Sequence, residues 1–252
     1  MKIENYETWK SGVTADTFTF PYNPQSVDSQ TAGNQQIKTL PYSDHHIVIT
    51  AGGHNPVDIV LTGHFSGSDK LSNYQTLAKH FHETWLLKKL YFESDKFYLG
   101  IGKSIKRVHS GGRTNFVDYV AIFQSLFGIQ FGNTEKTTNE GTVPTYVTRI
   151  TGSVTDGAQD IVLSDNFGNE IRVSSDYLST GDSFVYRLVS FVESVTGIYI
   201  TTFGYCEVDG LEVNTITNGW GVLKVAAGDS TSTISVSNLT SPNIYLRDGW
   251  AI

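Results

Sequence analysis

Hydrophobic residues follow two different spacings along this chain, and each spacing predicts a different kind of secondary structure. Between residues 69 and 87 they return every three or four positions, the spacing of one helical face, so we expect one long amphipathic helix packed on a sheet. The residues of this face are Leu71, Tyr74, Leu77, Ala78, Phe81 and Trp85. Elsewhere, short runs rich in Val, Ile, Thr, Tyr and Phe are separated by turn residues, a pattern that predicts strands.

The segments on either side of the helix are predicted to be strands. They span residues 46–50, 57–63, 89–93, 96–108 and 115–127, and the last two form a long hairpin. The second arm of the hairpin is apolar on both faces for much of its length, so the protein core can cover only one face. We expect a neighbouring subunit to cover the other face, with Phe116, Val120, Ile122 and Phe123 as candidate subunit-interface residues.

The residues after about position 140 show no helical spacing of useful length. Short apolar runs alternate with turn sequences, and Asp209-Gly210 between two such runs is the clearest hairpin signal in the chain. This predicts an all-β second domain, either a sandwich or a small barrel. The expected fold class is therefore mainly β, with an α+β first domain in which one long helix lies on a β-sheet or sandwich.

Charge is divided unevenly along the chain. Residues 1–140 contain 13 Lys and Arg, 13 Asp and Glu and all 7 His, so they have no net charge. Residues 141–252 contain 5 Lys and Arg and 12 Asp and Glu, and they supply the whole formal charge of -7. The break coincides with a loop-like stretch at 132–141, as expected at a domain boundary. We therefore predict a ring-forming first domain at 1–136 and an outer acidic domain at 141–252.

Residues that could carry chemistry are few. His80 and His82 are two positions apart on the predicted helix, and His45 and His46 alternate on a strand, so neither pair is expected to hold a metal. The glycine pairs lack the spacing of a phosphate-binding loop, no Gly-x-Ser-x-Gly motif is present, and the single Cys206 is expected to fill the core. We expect no catalytic residue, no metal and no cofactor, and hence a protein that is not an enzyme.

Composition also limits the partners. The sequence pI of about 5.4 argues against a dedicated nucleic-acid binder, so no sequence-specific nucleic-acid partner is expected. No stretch approaches the roughly 18 apolar residues that a membrane span needs, and the first ten residues mix both charge signs. We expect synthesis in the cytoplasm and no membrane insertion.

The first part of the chain resembles a known class of proteins in the order of its segments. It begins with residues 18–24 (FTFPYNP) and continues to a strand-like segment at 59–67 that contains Gly63-His64-Phe65. The helix follows, and the chain returns through residues 90–92 and 97–101. Over about residues 15–130 this order is similar to the ring-forming domain of tailed-virus tail and baseplate proteins, in particular distal tail proteins of long, flexible, non-contractile tails.

This resemblance implies a location and a set of partners. Members of that class form a hexameric ring between the tail tube and the tail-tip hub, so the implied partners are other copies of the chain, the tail-tube protein, and the hub and tape-measure proteins of a virion tail tip, made in the host cytoplasm. The outer domain of such proteins is a β-sandwich or small barrel, galectin-like or OB-like. Galectin-like sugar sites use His, Asn, Arg and Trp, whereas this second part has Asn218 and Trp220 but no His.

Two other functions remain open from the sequence. One is a carbohydrate-binding module for attachment to a host-surface glycan, in which Tyr199, Phe203, Tyr205 or Trp220 stacks on sugar rings, although aromatic residues of a sandwich more often fill its core. The other is an enzyme whose site is assembled from scattered residues.

Overall fold

The computed structural model describes residues 1–6, 16–29, 35–39, 46–50, 56–82, 87–108, 115–193, 199–219 and 221–251. The chain divides into two compact units, whose described residues are 1–6 and 16–129 in the first and 130–251 in the second. Both units consist mostly of antiparallel strands, and the described residues contain one α-helix. The predicted mainly β fold class is thus confirmed.

The first unit is a seven-stranded sheet with a helix against it. The sheet order is β2-β1-β7-β8-β9-β6-β3, a separate pair is formed by β4 and β5, and helix α1 contacts β6 and β8. The strands are β1 (Lys2–Asn5), β2 (Thr17–Thr19), β3 (Ser26–Ser29), β4 (Gln35–Thr39), β5 (His46–Thr50), β6 (Val57–Ser66), β7 (Lys88–Tyr91), β8 (Lys96–Val108) and β9 (Phe116–Gly132), and α1 is Lys70–His82. The last three residues of β9 belong to the second unit.

The core of the first unit lies between the sheet and α1. Alternate residues of β6 and β9 are buried there, among them Leu61, Phe65 and Tyr119, and the helix contributes Leu77 and Phe81. The helical spacing therefore located the buried face correctly at its C-terminal half. In its N-terminal half the prediction holds for Tyr74, which is partly buried against the same core, and is wrong for Leu71, which is 47% exposed. Trp85 lies outside the described residues.

A glycine makes room for the largest side chain of this core. Tyr119 stacks on Phe65 with ring centroids 5.0 Å apart, and a Cβ added at Gly63 would lie 2.7 Å from the Tyr119 hydroxyl oxygen. Burial raises the pKa of Tyr119 to about 12. Gly63 is therefore needed for the close approach of its neighbour rather than for an unusual backbone conformation.

The second unit is a sandwich of two antiparallel sheets. One has the order β15-β14-β13-β10-β17 with β19 also paired to β10, and the other has the order β16-β12-β11-β18. Both sheets contribute to one apolar core, so the predicted all-β sandwich is confirmed. The strands of the two sheets are β10 (Thr145–Val154), β11 (Ile161–Ser164), β12 (Glu170–Val173), β13 (Ser183–Glu193), β14 (Tyr199–Val208), β15 (Leu211–Glu212), β16 (Thr215–Asn218), β17 (Lys224–Val225), β18 (Ser235–Ser237) and β19 (Leu239–Leu246), with short 3₁₀ helices at Ser175–Tyr177 and Thr231–Thr233. Strand β20 (Gly249–Trp250) lies in the same unit but pairs with the end of β9 at Gln130 and Phe131 instead of joining either sheet.

The hairpin predicted at Asp209-Gly210 joins β14 to β15. Both turn residues have positive φ, 47° at Asp209 and 77° at Gly210, as a two-residue turn between twisted strands requires. Asp209 also accepts hydrogen bonds from the backbone nitrogen and the hydroxyl of Ser183. These bonds, the backbone one first, lower the pKa of Asp209.

The loop-like stretch at 132–141 is tied into the second unit. Lys136 exchanges two backbone hydrogen bonds with Leu246, and the Lys136 ammonium lies 2.8 Å from an Asp248 carboxylate oxygen. Buried Asn139 donates through Nδ2 to the carbonyls of Val143, Val225 and Ala226, and its Oδ1 accepts from the backbone nitrogens of Gly141 and Gly249. Hydrogen bonds from both side chain and backbone thus fix the segment.

Candidate assembly surface

The outward faces of β6 and β9 form a continuous surface opposite the core of the first unit. The two strands pair in register from Val57–Ser125 to Ser66–Phe116, so residues directly opposite each other point to the same face. We call the partly exposed set the outer β6–β9 face. Its members are Asp58, Val60, Thr62, His64 and Ser66 on β6, and Phe116, Asp118, Val120, Ile122 and Gln124 on β9.

The centre of the outer β6–β9 face is apolar. Val60 lies opposite Ile122, and the next same-face pair is Thr62 with Val120. All four are only partly exposed. Such β-branched pairs stabilise a sheet by covering each other, and together they form a mainly apolar, partly exposed strip.

Polar groups mark both ends of this strip. At one end the Asp58 carboxylate accepts from the Lys103 ammonium at 2.7 Å and from Gln124 Nε2 at 3.2 Å. At the other end the His64 ring lies 2.9 Å from Gln25 Nε2 and packs edge-on against the Phe116 ring. Paired polar groups around an apolar centre are the usual composition of a protein interface.

Three of the four predicted interface residues lie on this face. Phe116, Val120 and Ile122 are partly exposed and share one side of β9. The prediction is wrong for Phe123, which is 0% exposed and packs in the core of the first unit. Successive side chains of a strand point to opposite faces, so Ile122 and Phe123 cannot belong to the same surface.

The sheet of the first unit ends, among the described residues, at β3 next to this face. Val27 in β3 is 43% exposed and nearby Tyr22 is 58% exposed. A strand at a sheet edge presents backbone groups that can pair with another chain. Strand β3 lies beside the outer β6–β9 face because it pairs with β6, but Val27 lies opposite the buried Leu61 and so points to the other face of the sheet.

Two charged clusters occupy the opposite half of the sheet. Partial burial raises the pKa of Glu4, but hydrogen bonds from Lys2 and Tyr91 and the nearby Lys89 charge outweigh it and leave that pKa lowered. Asp16 lies 2.7 Å from the Lys79 ammonium and 3.9 Å from buried His80 Nε2. The Lys79 hydrogen bond is the main reason why the pKa of Asp16 is lowered.

The sugar-stacking candidates of the second unit are placed differently from one another, and Phe203 on β14 is 45% exposed. Tyr205 is 4% exposed, so little of its ring can meet a ligand, and its hydroxyl donates to Glu207 at 3.0 Å. Burial, followed by the Glu207 hydrogen bond, raises the pKa of Tyr205. Tyr199 begins β14, but its side chain, like the whole of Trp220, lies outside the described residues.

Sequence reasoning missed an aromatic residue of this unit that is accessible. Tyr245 on β19 is partly exposed and lies directly opposite Arg149 on β10, whose guanidinium is 4.5 Å from the centroid of the Tyr245 ring. The alternation of Ile244, Tyr245 and Leu246 could have indicated a strand with Tyr245 on its outer face. Only the fold shows which residues surround it.

Residues with metal-binding or thiol chemistry are separated from one another. His80 is buried and His82 exposed on α1, as the helical spacing predicted. Within the part of the chain that the structure describes, no three His, Cys, Asp or Glu side chains are grouped to hold a metal ion. Burial raises the pKa of the Cys206 thiol, which makes it a poor nucleophile.

Among the described residues, no helix is long and apolar enough to cross a bilayer.

Comparison with solved structures finds neighbours of low sequence identity. The chain is similar to the crystal structure of SPP1 Dit (gp 19.1), described as a paradigm of the hub adsorption apparatus in phages infecting Gram-positive hosts, with 12% identity, 90% of this chain and 92% of that chain covered, and a TM-score of 0.47. It is also similar to a phage P2 baseplate chain in its activated conformation with Ca, with 9% identity, 98% and 97% covered, and a TM-score of 0.47. For the strontium form of that baseplate the identity is 9%, 98% of this chain and 96% of that chain are covered, and the TM-score is 0.46.

The printed descriptions of these structures are of a phage hub protein and a phage baseplate. No family profile matches the sequence, and no curated protein matches it.

Proposed function

We propose that this chain is a structural protein of a virus tail tip, in which six copies form a ring that joins the tail tube to the tail-tip hub. The observation that carries the proposal is the outer β6–β9 face, a mainly apolar strip with paired polar groups at both ends. A second copy of the chain is its occupant, because the exposed edge strand β3 adjoins the strip and can extend the contact by backbone pairing.

The sequence resemblance supports the same role. Its segments appear in the first unit in the expected order, from β2 through β6 and α1 to β7 and β8. This role needs surfaces rather than a catalytic centre, so the protein acts by assembly and not as an enzyme.

The division of charge supports an outer position for residues 141–252. Six copies of a segment carrying -7 would repel one another if they were packed around an axis, whereas solvated charges on the outside are screened over about 8–10 Å. Residues 1–140 have no net charge, so six copies of this segment can pack around an axis without such repulsion.

The test is to place a charge at the centre of the strip in the full-length chain. Val120→Asp with Ile122→Asp should convert rings into monomers, because a carboxylate cannot be buried unpaired in an apolar contact. Native mass spectrometry and particle images measure this. Leu71→Asp is the matched control, since Leu71 is an exposed leucine on α1, which packs on the face of the sheet opposite the strip, and it should leave rings intact.

The outcome that contradicts the proposal is a wild-type chain that stays monomeric at every concentration, also with tail-tube protein added. Rings that persist in the double aspartate variant would place the assembly contact elsewhere.

A further inference from the structure

Two adjacent clefts on the second unit share the residues Thr137 and Tyr245. The larger, about 440 Å³, lies between the Thr231–Thr233 3₁₀ helix and β19, and its polar lining includes Ser230, Thr231, Ser232 and Asn243. The smaller, about 350 Å³, is lined by Glu135, Lys136, Thr138 and Glu140 beside the two shared residues. Together they reach the size range of small-molecule sites. We call them the Tyr245 clefts.

The Tyr245 ring is held in place by its neighbour. The Arg149 guanidinium packs against it at 4.5 Å and is itself fixed by an ion pair to Glu135, with Nη2 at 2.9 Å from Oε2. A tyrosine whose orientation is fixed before binding loses little conformational entropy when a ligand stacks on it. The ring lines both clefts, so one ligand can contact it from either.

The charges around the clefts are already neutralised by one another. Arg149 pairs with Glu135, and Lys136 lies between Glu140 at 2.5 Å and Asp248 at 2.8 Å. Because three carboxylates face two cations, a small excess of negative charge remains around the clefts. An anionic ligand would therefore be repelled, and a cationic ligand would have to compete with existing ion pairs.

The neighbouring strand edge is not shaped to accept another strand. Ser241 of β19 has a φ of +49°, and Pro242 has no backbone N–H to donate. A peptide adding to β19 would lose its hydrogen-bond ladder at this point. The occupant of the clefts is therefore a small polar molecule rather than an extended chain.

We propose that the Tyr245 clefts bind a neutral saccharide. The Thr137 and Thr231 hydroxyls and the Asn243 amide can each donate and accept, which matches the hydroxyls of a sugar. The Ser230 and Ser232 hydroxyls, 2.7 Å apart, bond to each other and keep only their remaining capacity for a ligand. The Tyr245 ring offers an apolar face for the C–H groups of the sugar. This binding goes beyond the structural role proposed above and does not depend on it. It places the site on β19, away from the aromatic residues that the sequence nominated.

The test uses the full-length chain and saturation-transfer NMR. The probes are maltose and N,N′-diacetylchitobiose as neutral disaccharides, with glucose 6-phosphate as the anionic comparison. We expect transfer from at least one neutral disaccharide and none from the phosphate. Tyr245→Ala should weaken binding about tenfold and Asn243→Ala about threefold, because the first loses a stacking surface and the second a single polar contact.

Tyr177→Ala is the matched control, since Tyr177 is an exposed tyrosine of the same unit that lines neither cleft, and it should leave binding unchanged. Asn243 is exposed on the edge strand, so its variant keeps the test valid if Tyr245→Ala fails to fold. The inference is overturned if neither neutral sugar shows transfer at about 10 mM. It is overturned equally if glucose 6-phosphate binds more tightly than both, or if folded Tyr245→Ala and Asn243→Ala bind like the wild type.

Discussion

The two units use the outward face of a sheet in opposite ways. In the first unit the outer β6–β9 face has β-branched side chains at its centre and keeps its polar groups at the ends. In the second unit β10 and β19 carry Arg149 and Tyr245 as a partly exposed pair, and hydroxyl and charged side chains surround them. An apolar centre favours another protein surface, whereas a polar surface with one fixed aromatic ring favours a small hydroxylated ligand.

The units also differ in what holds them together. The first is stabilised by aromatic packing between a sheet and a helix, with Gly63 making room for Tyr119. The second adds a buried polar centre, Asn139, whose side chain joins three separate segments. The two substitutions with the largest expected effects on stability test the buried Asn139 side chain and the packing of Tyr119 against Gly63.

Removal of the Asn139 amide should have the largest effect. Asn139→Ala leaves the backbone nitrogens of Gly141 and Gly249 without their acceptor inside the protein, and we expect a loss of about 3–4 kcal/mol in the free energy of unfolding of the second unit. Urea denaturation followed by circular dichroism measures it. Asn214→Ala, at an exposed asparagine of the same unit, should cost less than about 0.5 kcal/mol. Equal stability of the two variants would show that Asn139 is not an anchor.

Filling the space at Gly63 should have a smaller effect, confined to the first unit. Gly63→Ala places a methyl group 2.7 Å from the Tyr119 hydroxyl, and we expect a loss of about 1–3 kcal/mol through overpacking. Combining it with Tyr119→Phe should recover part of the loss, because the closest atom is removed. Thermal denaturation of the two single variants and the double variant measures this coupling. Strict additivity would contradict a direct contact between the two residues.

Acid should weaken the first unit modestly through Asp16. The pKa of Asp16 is lowered in the folded chain, chiefly by its hydrogen bond from Lys79, so the carboxylate stabilises the fold above its unfolded pKa. That contribution is lost as the pH falls through the lowered value. Asp16→Asn should therefore show a shallower loss of stability between about pH 4 and pH 2 than the wild type. An unchanged acid profile would exclude Asp16 as a contributor.

Much of the fold follows from local pattern. The bounds of β8, residues 96–108, were predicted to the residue, because turn residues flank an apolar run on both sides. The Asp209-Gly210 hairpin was predicted from two residues, since few sequences tolerate positive φ at both turn positions. Buried Leu77 and Phe81 follow from helical spacing, which depends only on backbone geometry.

The predictions that failed share one physical cause: they depend on contacts between residues that are distant in the sequence. Phe123 and Ile122 are equally apolar in sequence, and only the pairing of β9 with β6 decides which of them faces the core. The stretch at 132–141 has the composition of a linker, yet Asn139 is fixed by partners more than 80 residues later in the chain, such as Val225 and Ala226. No local pattern indicates such distant partners, and the position of the Tyr245 clefts depends on them as well.

The contacts of Asn139 also bear on the order in which the protein folds. Its bond from the Gly249 backbone nitrogen spans 110 positions of sequence, and Glu140 is bonded across 108 positions to the Asp248 carboxylate. Such distant closures carry a large chain-entropy cost and form slowly. On the ribosome, at about 5–20 residues per second, the sheet and helix of the first unit are fully synthesised several seconds before residue 249. The second unit can complete its own contacts only after that residue has emerged, so the apolar strip of the first unit is exposed to other nascent copies while the sandwich is still open.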